Sequence, residues 1–304
     1  MPARVRTGFG PYGRLLLALR GSRTACATLG LGVRPPSGGR SAPTGEGLRA
    51  EDVAARSGGA AAVRVAVLDV PPGTVTGLVG PPGAGKSTLL DVLTGLRRAD
   101  GGTVRLGGAE LTGRSPHLRA RHGLARTFER PAAFGALTVR ENVQVAAEIH
   151  AMTRATPGRG ARDRRRRRRA ARRDAGRVAD ALLARLGIAG YAAQRAGAVP
   201  PAAARLLELA RALATGPRVL LLDEPFADLP DAASRSLEVL LRDLAAEGLA
   251  VLITAPALEP VLGVCDVFYL LDEGRVTASG PPLEVTRCRS TGAPARPVAA
   301  ARPA

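Results

Sequence analysis

Gly80-Pro-Pro-Gly-Ala-Gly-Lys-Ser-Thr88 is the stretch whose residue types and spacing carry the plainest chemistry. It fits the pattern glycine, four residues, glycine, lysine, serine or threonine. Gly80, Gly83 and Gly85, with Ala84 between them, let backbone N–H groups turn inward as a nest for phosphate oxygens. A helix beginning near Lys86 would aim the positive end of its dipole at the same anion. Lys86 is placed for the outer phosphates of ATP and Ser87 for Mg²⁺, and Thr88 completes the pattern. Lys86 is also the single lysine in a chain with 44 Lys+Arg. A compact ammonium fits such a nest where the planar fork of arginine does not.

A phosphate loop of this kind needs an acid at the end of a neighbouring strand. Val219-Leu-Leu-Leu-Asp-Glu224 supplies one. Asp223 would hold Mg²⁺ through water, and Glu224 would polarise the attacking water. An Asp-Glu pair at a strand end also suits a helix N-cap. The glycine loop upstream favours the metal reading. A third feature is a block from Arg159 to Arg177 with eleven arginines and two aspartates, Arg164 to Arg169 being consecutive. The plainest account is a solvated helix or loop in a chain that carries almost all its positive charge on arginine. Anionic lipid headgroups and nucleic acid are the functional alternatives. The second lacks interleaved aromatics that could stack on bases.

The elements that must position these residues follow from periodicity. Val63–Val70 and Val75–Val79 read as strands flanking a Pro71-Pro72-Gly73 turn. Leu89, Leu90, Val92, Leu93 and Leu96 recur at helical spacing directly after the glycine loop. Gly101-Gly102 opens a small hairpin through Val104 and Leu106. Residues 136–210 read as mostly helical, with helices over 179–186 and 205–214. Val219–Leu222 is a continuous apolar run of the type buried on both faces of a parallel sheet. A helix over 237–246 and strands over 250–253 and 267–271 complete an alternating α/β order with a mostly parallel sheet.

Length and composition exclude several classes. The 304 residues suffice for about two domains and a large core without metal or disulfide support. A hydrophobic fraction of 45% argues against disorder throughout. No apolar run approaches the roughly 20 residues of a membrane helix. Leu15–Leu19, flanked by arginines, is too short for a signal-peptide core. Cys26, Cys265 and Cys288 are distant and odd in number, and His117, His122 and His150 show no zinc spacing. These features suit a soluble protein of a reducing compartment. Residues 1–46 are basic and rich in glycine and proline, and read as a disordered extension; a targeting segment or a basic arm are the alternatives.

With the glycine loop and the Asp-Glu strand end in place, the order of segments resembles an ABC-transporter ATPase subunit. His122-Gly-Leu-Ala-Arg-Thr-Phe-Glu-Arg-Pro131, Phe134, Leu137-Thr138-Val139 and Glu141-Asn142-Val143 are similar to a segment of the branched-chain amino-acid uptake ATPases. Leu207–Thr215 and Leu222-Asp-Glu-Pro225 continue the match, which covers about residues 48–285. The resemblance implies a P-loop NTPase core with a mostly parallel sheet, a small antiparallel β subdomain and an inserted helical subdomain at about 130–205. The ATPase domain would span 47–285, with a loose tail over 286–304. It also implies ATP and Mg²⁺ as ligands, Glu129 as a further nucleotide- and metal-facing residue, and Glu224 as the catalytic residue. Partners would be membrane permease subunits, a second ABC ATPase subunit and, indirectly, an extracytoplasmic substrate-binding protein. Nucleic acid is not expected. The place would be the cytoplasmic face of the cell membrane.

Several positions depart from the family pattern. Ser57 stands where the resemblance expects an aromatic to stack on adenine, and Glu129 where it expects glutamine. The signature serine and glycines fall in Val199-Pro-Pro-Ala-Ala203, where two prolines lack amide donors. Pro230 takes the place of a polar residue and Ala255 that of the switch histidine. The chain therefore reads as an ATP-binding transport subunit of low intrinsic hydrolysis, the degenerate half of an asymmetric ATPase pair. The alternative is a non-hydrolysing ATP-binding regulatory or scaffold protein.

Overall fold

The structure, a computed structural model, describes residues 47–57, 60–130, 132–154, 161–227 and 229–291. The expected basic extension over 1–46 lies outside them. Two compact units share the chain. Of the described residues, one takes 133–214 and 229–240; the other takes 47–132, 215–227 and 241–291.

The second unit is built on one ten-stranded sheet. Its strands are β1 (Leu48–Ser57), β2 (Ala60–Val70), β3 (Val75–Val79), β4 (Gly101–Leu106), β5 (Ala109–Glu110), β6 (Leu124–Arg126), β7 (Val219–Leu222), β8 (Ala250–Ala255), β9 (Val267–Asp272) and β10 (Arg275–Gly280). Their order is β5-β4-β1-β2-β10-β9-β3-β8-β7-β6. The neighbours β9, β3, β8, β7 and β6 are all parallel. Every residue of β3, β7 and β8 is buried, which explains their unbroken apolar sequences. The chain β5-β4-β1-β2 is antiparallel and forms the small β subdomain. There the buried positions alternate as Leu48, Ala50, then Val53, Ala55. The slip by one falls at Asp52, whose φ is 50°, and matches a register irregularity against β4.

Helix α1 (Lys86–Thr94) follows β3 and buries Leu89, Leu90, Val92 and Leu93. Its C-terminus is closed twice. Gly95 takes φ 79°, and Arg119, on the short helix α2 (Pro116–Arg121), donates from one guanidinium nitrogen to Val92 O and Leu93 O, both at 2.7 Å. A cation on the last carbonyls suits the helix dipole.

The other unit holds α3 (Val139–Arg154), α4 (Ala161–Arg185), α5 (Pro201–Leu213) and the first ten residues of α6 (Asp231–Ala246). A capping box starts α3: Thr138 N–H donates to Glu141 Oε2 (2.8 Å), and Glu141 N–H donates to Thr138 Oγ1 (3.1 Å). Buried Asn142 accepts from Phe134 N–H (2.9 Å) and donates to Phe134 O (3.1 Å) and Thr138 O (2.9 Å). From Ala161 onward the arginine block is helical because arginine is a good helix former and because Ala175, Ala179, Leu182 and Leu183 bury one stripe. The predicted helix over 179–186 is the end of this longer one. Helices α5 and α6 likewise begin earlier than their apolar periodicity suggests. Pro201 occupies the first turn of α5, where its missing N–H costs nothing. Pro230 O accepts from Ala233 and Ser234 to start α6. At the C-terminal end, α7 (Pro282–Thr291) continues past position 286, where the composition suggested that a tail begins.

Candidate phosphate-binding site

The glycine loop runs from the end of β3 into α1, as its sequence context requires. Gly80 N–H donates to Ala255 O across the parallel strands (3.2 Å). A Cβ on Gly80 would sit 2.0 Å from Leu271 O, so no larger residue fits. Gly85 precedes α1 with φ 100°, and a Cβ there would lie 2.6 Å from Ala62 O. Among the described residues no side chain caps α1, so its first-turn amides at Lys86, Ser87 and Thr88 remain free for an anion. Gly83 and Ser87 are exposed, and Ala84 is buried beneath them.

Lys86 is buried, with its ammonium donating to Gly80 O (2.6 Å) and Pro81 O (3.2 Å). Glu224 Oε1 lies 3.5 Å from the same nitrogen. Glu224 has φ 45°, a region that non-glycine residues seldom adopt outside turns and functional sites. Thr254, the fifth residue of β8, links the two acids. Its hydroxyl donates to Asp223 Oδ1 (2.8 Å) and accepts from Glu224 N–H (2.9 Å). The register explains the meeting, since Leu222 pairs with Ile253 in parallel and the next residue on each strand is Asp223 and Thr254.

Arg126 completes the cluster from the end of β6. Its guanidinium bridges Asp91 Oδ1 (2.6 Å) and Asp223 Oδ2 (2.9 Å), and the Phe128 ring centroid lies 5.0 Å from its Cζ. Both oxygens of Asp223 are thus engaged, one by Thr254 and one by Arg126. A metal approaching Asp223 would share that carboxylate with Arg126. Glu129 is exposed, and among the described residues no hydrogen bond or ion pair joins it to this cluster. Ser57 ends β1, Pro200 precedes α5, and Ala255 is buried at the end of β8.

The structure therefore brings together Gly80, Lys86, Asp223 and Glu224. It adds three residues to which sequence reasoning assigned no role: Asp91, Arg126 and Thr254. Asp91 was findable, because it lies four residues after Ser87 on the same helix face. Thr254 needed the strand pairing. A phosphate group fits this arrangement: free amides and a buried ammonium surround the loop mouth, with the Glu224 carboxylate beside the ammonium.

The ABC transporter family profile matches residues 63–227. The lipopolysaccharide export system ATP-binding protein LptB of Acidithiobacillus ferridurans is 33% identical over 73% of this chain and 85% of its own length. The high-affinity branched-chain amino acid transport ATP-binding protein BraF of Pseudomonas aeruginosa is 33% identical over 78% of this chain and 92% of its own. The crystal structure of a nucleotide-free ATP-binding cassette from an ABC transporter superposes with a TM-score of 0.66 at 27% identity, covering 81% of this chain and 95% of the other. A glycine loop feeding α1, an Asp-Glu pair two strands away with β8 between rather than on the adjacent strand, and these matches along most of the chain agree, and the chain belongs to the ABC-transporter ATP-binding family.

Proposed function

We propose that the chain binds ATP with Mg²⁺ as a subunit of an amino-acid uptake transporter of the branched-chain type. The observation that carries nucleotide binding is the buried Lys86 ammonium, held between its own loop carbonyls and Glu224 at 3.5 Å. On this reading the ammonium leaves Gly80 O for a phosphate oxygen, while the first-turn amides of α1 take the remaining oxygens. Ser87, Asp223 and Glu129 are the residues for the metal, which supplies charge neutralisation to the outer phosphates. Glu224, freed from Lys86, holds the attacking water, and Thr254 fixes Glu224 through its backbone N–H. The amino-acid reading is supported by the 122–143 segment and by the name that BraF carries. The name of LptB points elsewhere.

The proposed partners are permease subunits and a second ATPase subunit, with a substrate-binding protein acting through the permeases, at the cytoplasmic face of the membrane. Ala255 offers no imidazole, and Pro201 opens α5 without an amide. Both favour slow intrinsic turnover and a more competent partner. Mg-ATP binding and phosphate release, measured on the chain alone and mixed with a candidate partner ATPase, test this. Binding lost in Lys86→Ala, with release only in the mixture, is the expected result. Binding without release in either setting would favour the regulatory alternative, and no binding would remove the nucleotide reading.

A further inference from the structure

The α3–α4 pair carries an exposed surface that the nucleotide site does not use. The two helices run antiparallel. Arg140 bonds Asp180 and Gly176 O, Gln144 bonds Arg172 O, and Glu148 pairs with Arg172. Residues 140, 144 and 148 form one stripe of α3, which reaches Met152 a turn later. Residues 180, 176 and 172 form the facing stripe of α4, which reaches Arg169, Arg168 and Arg165. The far end of the pair thus places Met152 and its neighbour Ile149, 49% and 58% exposed, beside the arginine run.

The acids of this pair whose side chains are described are engaged. Glu148 meets Gln144 and Arg172, Asp174 meets Arg177, Asp180 meets Arg140, and Glu141 caps α3. Arg165, Arg166, Arg168, Arg169 and Arg173 are exposed, and no acidic partner exists for them among the described residues. Neither helix contains Phe, Tyr or Trp, so neither offers the large aromatic platform on which single-stranded bases commonly stack. Unpaired guanidinia beside exposed apolar side chains match an interface with phosphate outside and hydrocarbon within. We infer that the far end of the α3–α4 pair docks on an anionic phospholipid bilayer, with the arginines on the headgroup phosphates and Ile149 and Met152 at the acyl boundary. The inference does not depend on nucleotide or on the transported substrate.

Vesicle co-sedimentation of the full chain tests it, comparing phosphatidylcholine alone with phosphatidylcholine containing about one third phosphatidylglycerol. Binding only to the anionic vesicles is expected, weakened by salt. The variant Arg165→Gln/Arg166→Gln/Arg168→Gln/Arg169→Gln should lose at least about 100-fold in partition coefficient. Glutamine keeps helix propensity, and unchanged Mg-ATP binding by the variant verifies folding. Where ATP does not bind, its helical circular dichroism serves instead. Ile149→Ser/Met152→Ser should lower binding that persists at high salt. Equal binding to both vesicle types, or a quadruple variant that sediments like the wild type, overturns the inference. Variant-sensitive binding to a duplex oligonucleotide without vesicle binding replaces lipid with nucleic acid.

Discussion

Arg126 sits between Asp91 and Asp223 and bonds one oxygen of each carboxylate. Its side chain and that of Asp223 are 7% and 4% exposed, so neither charge has water as a substitute partner. Arg126→Met removes the cation and leaves both acids. A loss of about 3 kcal/mol in unfolding free energy is expected from breaking a buried pair on one side. Denaturant titration checks it, and an unchanged midpoint would show that the bridge carries no net stability. Ala255 and Glu129 make a different case, since neither contributes a bond from its side chain within the cluster among the described residues. Ala255→His with Glu129→Gln should raise phosphate release several-fold. If the double variant releases phosphate no faster, the missing side chains do not limit turnover.

At the scale of elements, α1 has opposite problems at its two ends. The N-terminus must stay uncapped to receive an anion, so its stability has to come from elsewhere. The C-terminus provides it: Arg119 holds Val92 O and Leu93 O, and burial lowers the pKa of its guanidinium from the ordinary value without displacing it from those carbonyls. Arg119→Met fills similar space but leaves Leu93 O without its donor, while Val92 O keeps only the Gly95 N–H. A cost of about 1–3 kcal/mol is expected, read as a lower midpoint in thermal or denaturant unfolding. A silent substitution would mean that Gly95 alone closes the helix. Asn142 has a comparable role in α3, and its place in the Glu141-Asn142-Val143 segment is explained by three bonds to the Phe134 loop and the first turn.

At the scale of the molecule, the parallel strands are packed so closely that side-chain size is fixed. A Cβ on Gly77 would stand 2.7 Å from the Phe268 ring and 3.0 Å from Cys265 Sγ. Burial, with Asp266 alongside, pushes the Cys265 thiol up to about 12. In a Cys26→Ser/Cys288→Ser background the remaining thiol therefore reports opening of this core. At pH 8 its labelling in the native protein should be at least about a thousand-fold slower than in denaturant, because thiolate is the reacting species. Labelling at the denatured rate would show that the core opens freely around β3 and β9.

The sequence by itself determined β2, β3, β7, β8 and β9, the hairpin through β4, the glycine loop and the acids, whereas β1, β6 and β10 were not read from it. Each is a local signal: unbroken apolar runs for strands buried on both faces, a fixed glycine spacing before a helical pattern, an Asp-Glu pair after Leu222. It also marked Ser57, Glu129, Pro200, Pro230 and Ala255 as departures from a family pattern. Helix starts were less legible, because α5 and α6 begin in polar or proline-led turns that have no apolar period. Tertiary structure alone decided that Arg126 lies between Asp91 and Asp223, that Thr254 ties Asp223 to Glu224, and that Arg119 closes α1. Those contacts join residues 26 to 97 positions apart; the first two follow from the order in which parallel strands line up and the third from the packing of α2 on α1, which no local period encodes.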